Sequence, residues 1–291
     1  MPGHAAKLQR LSVPLTIDGV DLKIAAMWRG GAGVPLVFLH GFGSTKEDYA
    51  DVIQQARLTN RPVLAYDAPG CGASSCPDLS AVSIPFLVSV AEQMVAAQGI
   101  DRFHLVGHSM GGLTGLLLAD RHPTRVVSFV DIEGNVAPED CFLSRQIVTH
   151  PHDDADGFLD EFIERVWSSR FYGSTLYAAS LPHKVRAGAV RPIFESMVDL
   201  SDNGDLMDRL LSLPIPRMYM YGEQNNTLSY LPQLAAAGVE LAEIPDCAHF
   251  PMYSNAPQMW SHLCTFIHHA EFTSQGDDAD TPAPAATRSS Q

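Results

Sequence analysis

Ser109 stands at the centre of a Gly-X-Ser-X-Gly run, "LVGHSMGG", that follows an apolar stretch and precedes one rich in Gly and Leu. A serine at a strand-to-helix junction has two chemical assets. The bend is so tight that Gly107 and Gly111 must lack side chains to avoid collision, which leaves the hydroxyl strained and exposed. The helix that follows offers free N–H groups in its first turn, suited to a developing negative charge. By composition the pentapeptide recurs by chance in about one chain in ten of this size, so the flanking strand and helix carry the assignment of Ser109 as a nucleophile. A free hydroxyl reacts poorly at neutral pH and needs a base, and an imidazole with a pKa of about 6.5 suits the task. Twelve histidines are present. A carboxylate must then orient that imidazole and balance its charge. Glu133, in "FVDIEGNVAP", falls at the C-terminal end of the strand after the nucleophile's helix, where strand ends line the site of an open parallel sheet. Its rivals are Asp131, two residues earlier on the same strand face, and Glu223, directly after a glycine in "MYMYGEQNNT".

Positioning these residues requires a framework, and the chain alternates strand-like with helical runs. "PLVFLH" is followed by a helical pattern near Lys46 to Gln55, then "RPVLAYD", Ile84 to Gln98, "RFHLVGH", Met110 to Arg121 and "VVSFVDIE". Such alternation predicts parallel βαβ units. The opening differs: "LSVPLTIDGVDLKIAAMWRG" places two strand-like runs around "DG", a hairpin signal for an antiparallel edge. From about Val136 to Asp208 no strand pattern appears, and short helices carry Phe158, Phe162, Val166, Trp167, Phe171, Tyr172, Phe194 and Met197. Alternation resumes with "IPRMYMYG", a helix around Leu231 to Ala237, "VELAEIP" and a last helix from Ala256 to Ala270. The expected fold is α/β, a mostly parallel eight-stranded sheet flanked by helices. Residues 1–135 and 209–271 form its core, and 136–208 form a helical cap over a pocket, with one more packed helical layer as the alternative. Residues 272–291, acidic and rich in Pro, Ala and Ser without apolar periodicity, are expected to be a disordered tail.

Bulk properties narrow the class. With 46% apolar residues in 291, a sizeable core is expected. A net charge of −14 and the lack of any Lys/Arg-rich run argue against nucleic acid as a partner. The start, "MPGHAAKLQR", lacks the apolar core of a secretory signal, and no apolar stretch approaches the roughly 20 residues that span a bilayer, so a cytoplasmic protein without a membrane partner is expected. Five cysteines form an odd set without CxxC spacing and are expected as reduced thiols, a small Cys71–Cys76 redox loop being the alternative. His268 and His269 are adjacent and point about 100° apart on a helix, so they cannot chelate one ion together. No metal site is expected.

On these residues the chain resembles the α/β-hydrolase family over roughly Leu11 to Ala270. "FLHGFGS" is similar to the family's oxyanion loop, which implies that the backbone N–H groups of Phe42 and Met110 stabilise a tetrahedral oxyanion. "YDAPGCGAS" is similar to its DxxGxGxS turn, with Asp67 structural. The family keeps its catalytic histidine between the last strand and the last helix, which implies His249 in "PDCAHFPMYSNAP". His108 and His40 are then expected to be structural, the latter shaping the oxyanion loop. Most members carry an aspartate a few residues beyond the strand before the last, where this chain has Asn225. Asparagine can orient an imidazole but carries no charge. Some relatives, including haloalkane dehalogenases and the zearalenone lactone hydrolase, place a glutamate after the sixth strand instead, and Glu133 matches that position.

The resemblance implies a serine esterase acting through an acyl-enzyme, with neither metal nor organic cofactor. Lactonase, thioesterase and carbon–carbon bond hydrolase share the same residues, and a non-catalytic small-molecule receptor on the same fold is the alternative of another class. The aromatic content of the insertion suggests a mainly apolar small-molecule substrate, with Trp167, Phe171 and Phe250 as binding residues. A monomer or homodimer is expected. Replacing Glu133 by Gln is expected to remove most turnover, and Asn225→Ala and Glu223→Gln little.

Overall fold

The computed structural model describes residues 7–278, and begins with the hairpin that the Asp-Gly pair predicts. Asp18 and Gly19 both adopt positive φ, 48° and 80°, which is the geometry of a two-residue turn whose twist matches paired strands. They join β1 (Gln9–Ile17) to β2 (Val20–Arg29), with Ile17 opposite Val20. Six more strands follow: β3 (Leu36–Leu39), β4 (Val63–Tyr66), β5 (Phe103–His108), β6 (Val126–Ile132), β7 (Arg217–Gly222) and β8 (Glu240–Ile244). They form one sheet in the order β1-β2-β4-β3-β5-β6-β7-β8, antiparallel where β2 meets β1 and β4 and parallel elsewhere. Every residue of β3, β4, β5 and β6 is buried, the signature of strands covered on both faces.

Helices α1 (Ile84–Ala97) and α2 (Met110–Arg121) pack together, and α2 lies on β5 and β6. Between β6 and β7 the chain makes 3-10 turns at Pro138–Cys141 and Ser144–Thr149, then α3 (Ala155–Trp167), α4 (Tyr172–Lys184), α5 (Val190–Asn203) and α6 (Leu206–Ser212). α6 returns to the body of the protein against α2. After the sheet's seventh strand come α7 (Leu231–Ala236), α8 (Pro251–Ser254) and α9 (Ala256–Asp278). Alternation along the strands separates the layers. Leu105 and Phe129 face Gly115 of α2, whereas their neighbours His104 and Ser128 bond each other on the other face, where His104 meets Glu271 of α9.

Two expectations shift. The helical pattern near Lys46 is a 3-10 segment, Lys46–Gln54, pinned by side chains: the Lys46 N–H and ammonium both reach Asp67, and the Asp51 carboxylate accepts from Trp260 Nε1 at 2.7 Å. The last helix continues to Asp278, through the first residues assigned to a tail, and 279–291 lie outside the described residues, as do 1–6 of the N-terminal stretch. Among the described residues no helix is long and apolar enough to cross a membrane. All five cysteines are free thiols.

The anchor of α9 has a measurable signature. Glu271 takes two hydrogen bonds from the Arg61 guanidinium, at 2.6 and 2.8 Å, and lies 3.4 Å from His104 Nε2. Those partners hold its carboxyl down at about 2, against an ordinary value of 4.5. A depressed carboxyl stabilises the fold above its unfolded pKa and loses that contribution as pH falls through the folded one. Glu271→Gln is therefore expected to lower the unfolding free energy at pH 7 by on the order of 2 kcal/mol. The variant should also flatten the stability loss between pH 4.5 and 2. Denaturant melts of both proteins across that range test it; equal stability at pH 7 would reduce the cluster to a packing contact.

Candidate active site

Ser109 occupies the turn between β5 and α2 with φ 52° and ψ −119°, a backbone conformation that side-chain-bearing residues rarely adopt. The glycines around it are obligatory. A Cβ on Gly107 would lie 2.3 Å from the Gly111 carbonyl oxygen, and one on Gly111 would lie 2.2 Å from that of Leu39. Met110 is the first residue of α2, so its N–H has no intrahelical acceptor.

The loop His40–Gly43 lies directly against Ser109: a Cβ on Gly41 would meet Ser109 Cβ at 3.1 Å and His108 Nδ1 at 2.6 Å. Its shape is held from three sides. His40 donates from Nδ1 to the Gly41 carbonyl at 2.7 Å and accepts the Ala68 N–H on Nε2 at 2.8 Å, a neutral tautomer that its complete burial favours by lowering the pKa. The Tyr177 hydroxyl donates to the Phe42 carbonyl at 2.6 Å. Asp67 fixes the neighbouring turn by accepting from the Lys46 ammonium and the Ala73 N–H, both at 2.8 Å. That turn in turn binds the α4–α5 junction, where Gly72 N–H donates to the Lys184 carbonyl and Arg186 N–H to that of Gly70.

His249 lies in the loop between β8 and α8, and its Nδ1 is 2.7 Å from Glu133 Oε2. Glu133 is one residue past the end of β6, in a left-handed conformation with φ 51°. Its carboxylate is buried and accepts two further hydrogen bonds at 2.6 Å, from the Gly222 N–H and from Asn225 Nδ2. A carboxylate only accepts, so Nδ1 of His249 carries the proton and Nε2 is left as the basic nitrogen. Asn225, which occupies the family's usual acid position, therefore donates to Glu133. This revises the expectation for Asn225→Ala, which removes one of three donors on a buried carboxylate and is now expected to cost roughly tenfold in turnover, read as kcat beside Glu223→Gln.

The rival acids stand elsewhere. Glu223 Oε2 accepts the Asp246 N–H at 2.9 Å on the exposed side of the loop. Asp131 is fully buried, accepts the Gly134 N–H at 2.8 Å, and is pushed well above the usual carboxylate range by that burial. His108 also has a structural task that its position alone does not reveal. Its Nε2 donates to the His249 carbonyl at 2.8 Å, so it anchors the backbone of the histidine across the site. Burial, and the His249 ring 4.9 Å away, lower its pKa.

Ser109, Glu133 and His249 line one cavity of about 320 Å³. Its apolar wall is built by Phe42, Phe142, Phe162, Tyr177, Phe194 and Phe250, so Phe250 stands where the sequence reading places a binding residue. Trp167 and Phe171 do not. Trp167 is 52% exposed, because one step along α3 from the wall residue Val166 turns it about 100° away. Phe171 precedes α4 outside the cavity, with the Arg170 guanidinium 4.8 Å from its ring centre. Tyr177 was not singled out from sequence, and the only signal for it is an aromatic on the buried face of α4. Arg165 also lines the cavity; its sequence signal is a charge three and seven residues after Phe162 and Phe158, on the apolar stripe of α3.

Comparison with known proteins agrees with this geometry at the level of fold. The family model described as "Alpha/beta hydrolase family" matches residues 36–259. The chain is 31% identical over 207 residues, 67% of its length and 78% of the relative's, to the pimeloyl-[acyl-carrier protein] methyl ester esterase of Aeromonas salmonicida (strain A449). It is 27% identical over 207 residues, 68% of its length and 78% of the relative's, to the 2-succinyl-6-hydroxy-2,4-cyclohexadiene-1-carboxylate synthase of Enterobacter sp. (strain 638). Among solved structures, an N-acyl homoserine lactonase complexed with N-hexanoyl homoserine superposes with a TM-score of 0.69 at 18% identity, covering 90% of this chain and 98% of that one. A carboxylesterase of Nitrososphaera gargenis does so with a TM-score of 0.73 at 14% identity, covering 90% and 100%. With the sheet order, the strained serine turn and a family match over most of its length, the chain belongs to the alpha/beta hydrolase family.

Proposed function

We propose that the protein is a serine hydrolase that cleaves carboxylic esters of mainly apolar small molecules through an acyl-enzyme. The observation that carries this reading is the 2.7 Å contact of Glu133 with His249 in a cavity shared with Ser109. His249 Nε2 takes the Ser109 proton as Oγ attacks the ester carbonyl carbon, and the N–H groups of Phe42 and Met110 receive the resulting oxyanion. Glu133 stabilises the imidazolium, which then gives its proton to the departing alcohol oxygen. Water, activated by the same imidazole, attacks the acyl carbon and frees Ser109. Residues 136–208 act as the cap, contributing Phe162, Tyr177 and Phe194 to the acyl wall. The ester named in the 31% identical relative supports an ester bond as the target. A lactone is an internal ester and would follow the same steps.

The test is a panel of p-nitrophenyl esters with a fluorophosphonate probe beside it. Each buried methylene contributes about 0.8 kcal/mol, so butyrate is expected to exceed acetate in kcat/KM by roughly tenfold. Labelling should disappear in Ser109→Ala. A protein that neither labels nor turns over any ester, thioester or lactone would return the reading to a ligand receptor.

A further inference from the structure

The loop that carries Phe42 is a closed turn. The Ser44 N–H donates to the Gly41 carbonyl at 3.1 Å, and Gly43, third of the four residues, has φ 71°, as a type II turn requires. The first peptide of the turn carries the Gly41 carbonyl and the Phe42 N–H, and it is held from within the core: besides Ser44, the His40 imidazole bonds that carbonyl at 2.7 Å. The middle peptide carries the Phe42 carbonyl. It is the one that can swing in place, by changing only ψ of Phe42 and φ of Gly43. Its carbonyl accepts from the Tyr177 hydroxyl at 2.6 Å, and among the described residues this is the one hydrogen bond that joins 136–208 to the turn.

Tyr177 is buried on α4, and Gly43 leaves the room for it. A Cβ on Gly43 would lie 2.6 Å from the Tyr177 hydroxyl oxygen and 2.2 Å from Leu181 Cδ2, one turn further along the helix. The Tyr177 ring stacks on Phe250 with 4.2 Å between centres, and the Phe250 ring stands 5.0 Å from that of His249. Burial pushes the phenol well above its ordinary range, so the hydroxyl stays a donor throughout the pH range of an esterase assay.

We propose that Tyr177 is a positioning residue for the reaction: by holding the middle peptide of the turn it keeps the Phe42 N–H aimed at the oxyanion, so that this donor is in place only while α4 is docked on the core. This rests on the ester-hydrolase reading and deepens it, since it makes the transition state, and not the bound ester, depend on residues 136–208. Phe42 lies between the two peptides. With both fixed, its φ and ψ have no slack and its N–H has one direction; with the second released, only the core-held peptide constrains it. Losing an oxyanion donor outright costs about 10²–10³ in kcat, and Tyr177 acts on one such donor through the backbone, so its own effect is smaller.

Tyr177→Phe removes the hydroxyl and keeps the ring on Phe250. It is expected to lower kcat for the butyrate ester roughly tenfold with KM within about twofold, and by the same factor at every pH. Should the small void left by the hydroxyl cost the fold, 4-fluorophenylalanine in place of Tyr177 fills it without donating and carries the same expected loss. Unchanged kcat overturns the inference and leaves the esterase reading standing. A raised KM at unchanged kcat also overturns it, by making the hydroxyl a substrate contact, and so does a pH profile of altered shape, by making it a proton donor. Failure of the esterase reading is separable, because the turn is followed without substrate as well. The Ser44 amide that closes the turn should exchange its hydrogen roughly fivefold faster or more in Tyr177→Phe, while the amides of β5 keep their wild-type rates. Equal exchange at Ser44 overturns the inference whether or not the protein cleaves esters.

Discussion

Glu133→Gln is expected to lower kcat by roughly 10³–10⁴-fold with KM changed by no more than about threefold. The size follows from what surrounds the carboxylate. Three donors converge on it: the Gly222 N–H, Asn225 Nδ2 and His249 Nδ1. A glutamine keeps one acceptor oxygen and turns an NH2 group toward donors that need acceptors. The group with a choice is the imidazole, which relieves the conflict by moving its proton to Nε2. The nitrogen that must take the Ser109 proton is then already protonated, and no charge balances an imidazolium if one forms. Turnover of the butyrate ester by wild type, Glu133→Gln, Glu223→Gln and Asp131→Asn separates the candidates. Glu223, whose carboxylate is spent on Asp246 N–H, should stay within about twofold, and Asp131, whose carboxyl accepts the Gly134 N–H and is pushed up by burial, should lose little turnover to its amide. Near-normal turnover in Glu133→Gln would remove this residue from the mechanism.

What the sequence discloses and what it conceals divide along a physical line. Strand-borne positions are legible because two rules reach them: alternation fixes the strands, and the C-terminal ends of parallel strands face the site. Ser109 and Glu133 are of this kind, and so is the antiparallel start, because Asp18-Gly19 has essentially one good conformation between strands. Asn225 is not. Its role depends on the loop after β7 meeting the end of β6, a contact between segments about ninety residues apart that no local pattern encodes. Trp167 and Phe171 fail for another reason. Aromatic content says that a segment is apolar, whereas lining a cavity is a matter of helical phase, and on α3 the phase selects Phe162, Arg165 and Val166 and turns Trp167 to solvent. The same phase argument would have found Arg165, a charge on the buried stripe.

Ser109→Gly is expected to abolish ester turnover, by roughly 10⁴-fold or more, and at the same time to raise the melting temperature. The two effects have one cause. At φ 52° and ψ −119° the serine Cβ is held in a conformation that costs about 1–3 kcal/mol and that only glycine adopts freely. The serine hydroxyl gives no compensating cap, since the side chain makes no hydrogen bond to the first turn of α2. Glycine relieves the strain and loses about 0.5–1 kcal/mol through the greater freedom of the unfolded chain, leaving a net gain of about 1 kcal/mol or a rise of roughly 2–4 °C. Ser109→Ala is the decisive control, because alanine keeps the Cβ and therefore the strain while losing the nucleophile. Calorimetry should place it near wild type, with glycine above both. If the glycine variant melts at or below the alanine one, the turn is not strained, and the exposure of Ser109 owes its existence to the collisions that Gly107 and Gly111 avoid and to nothing stored in the backbone at residue 109 itself.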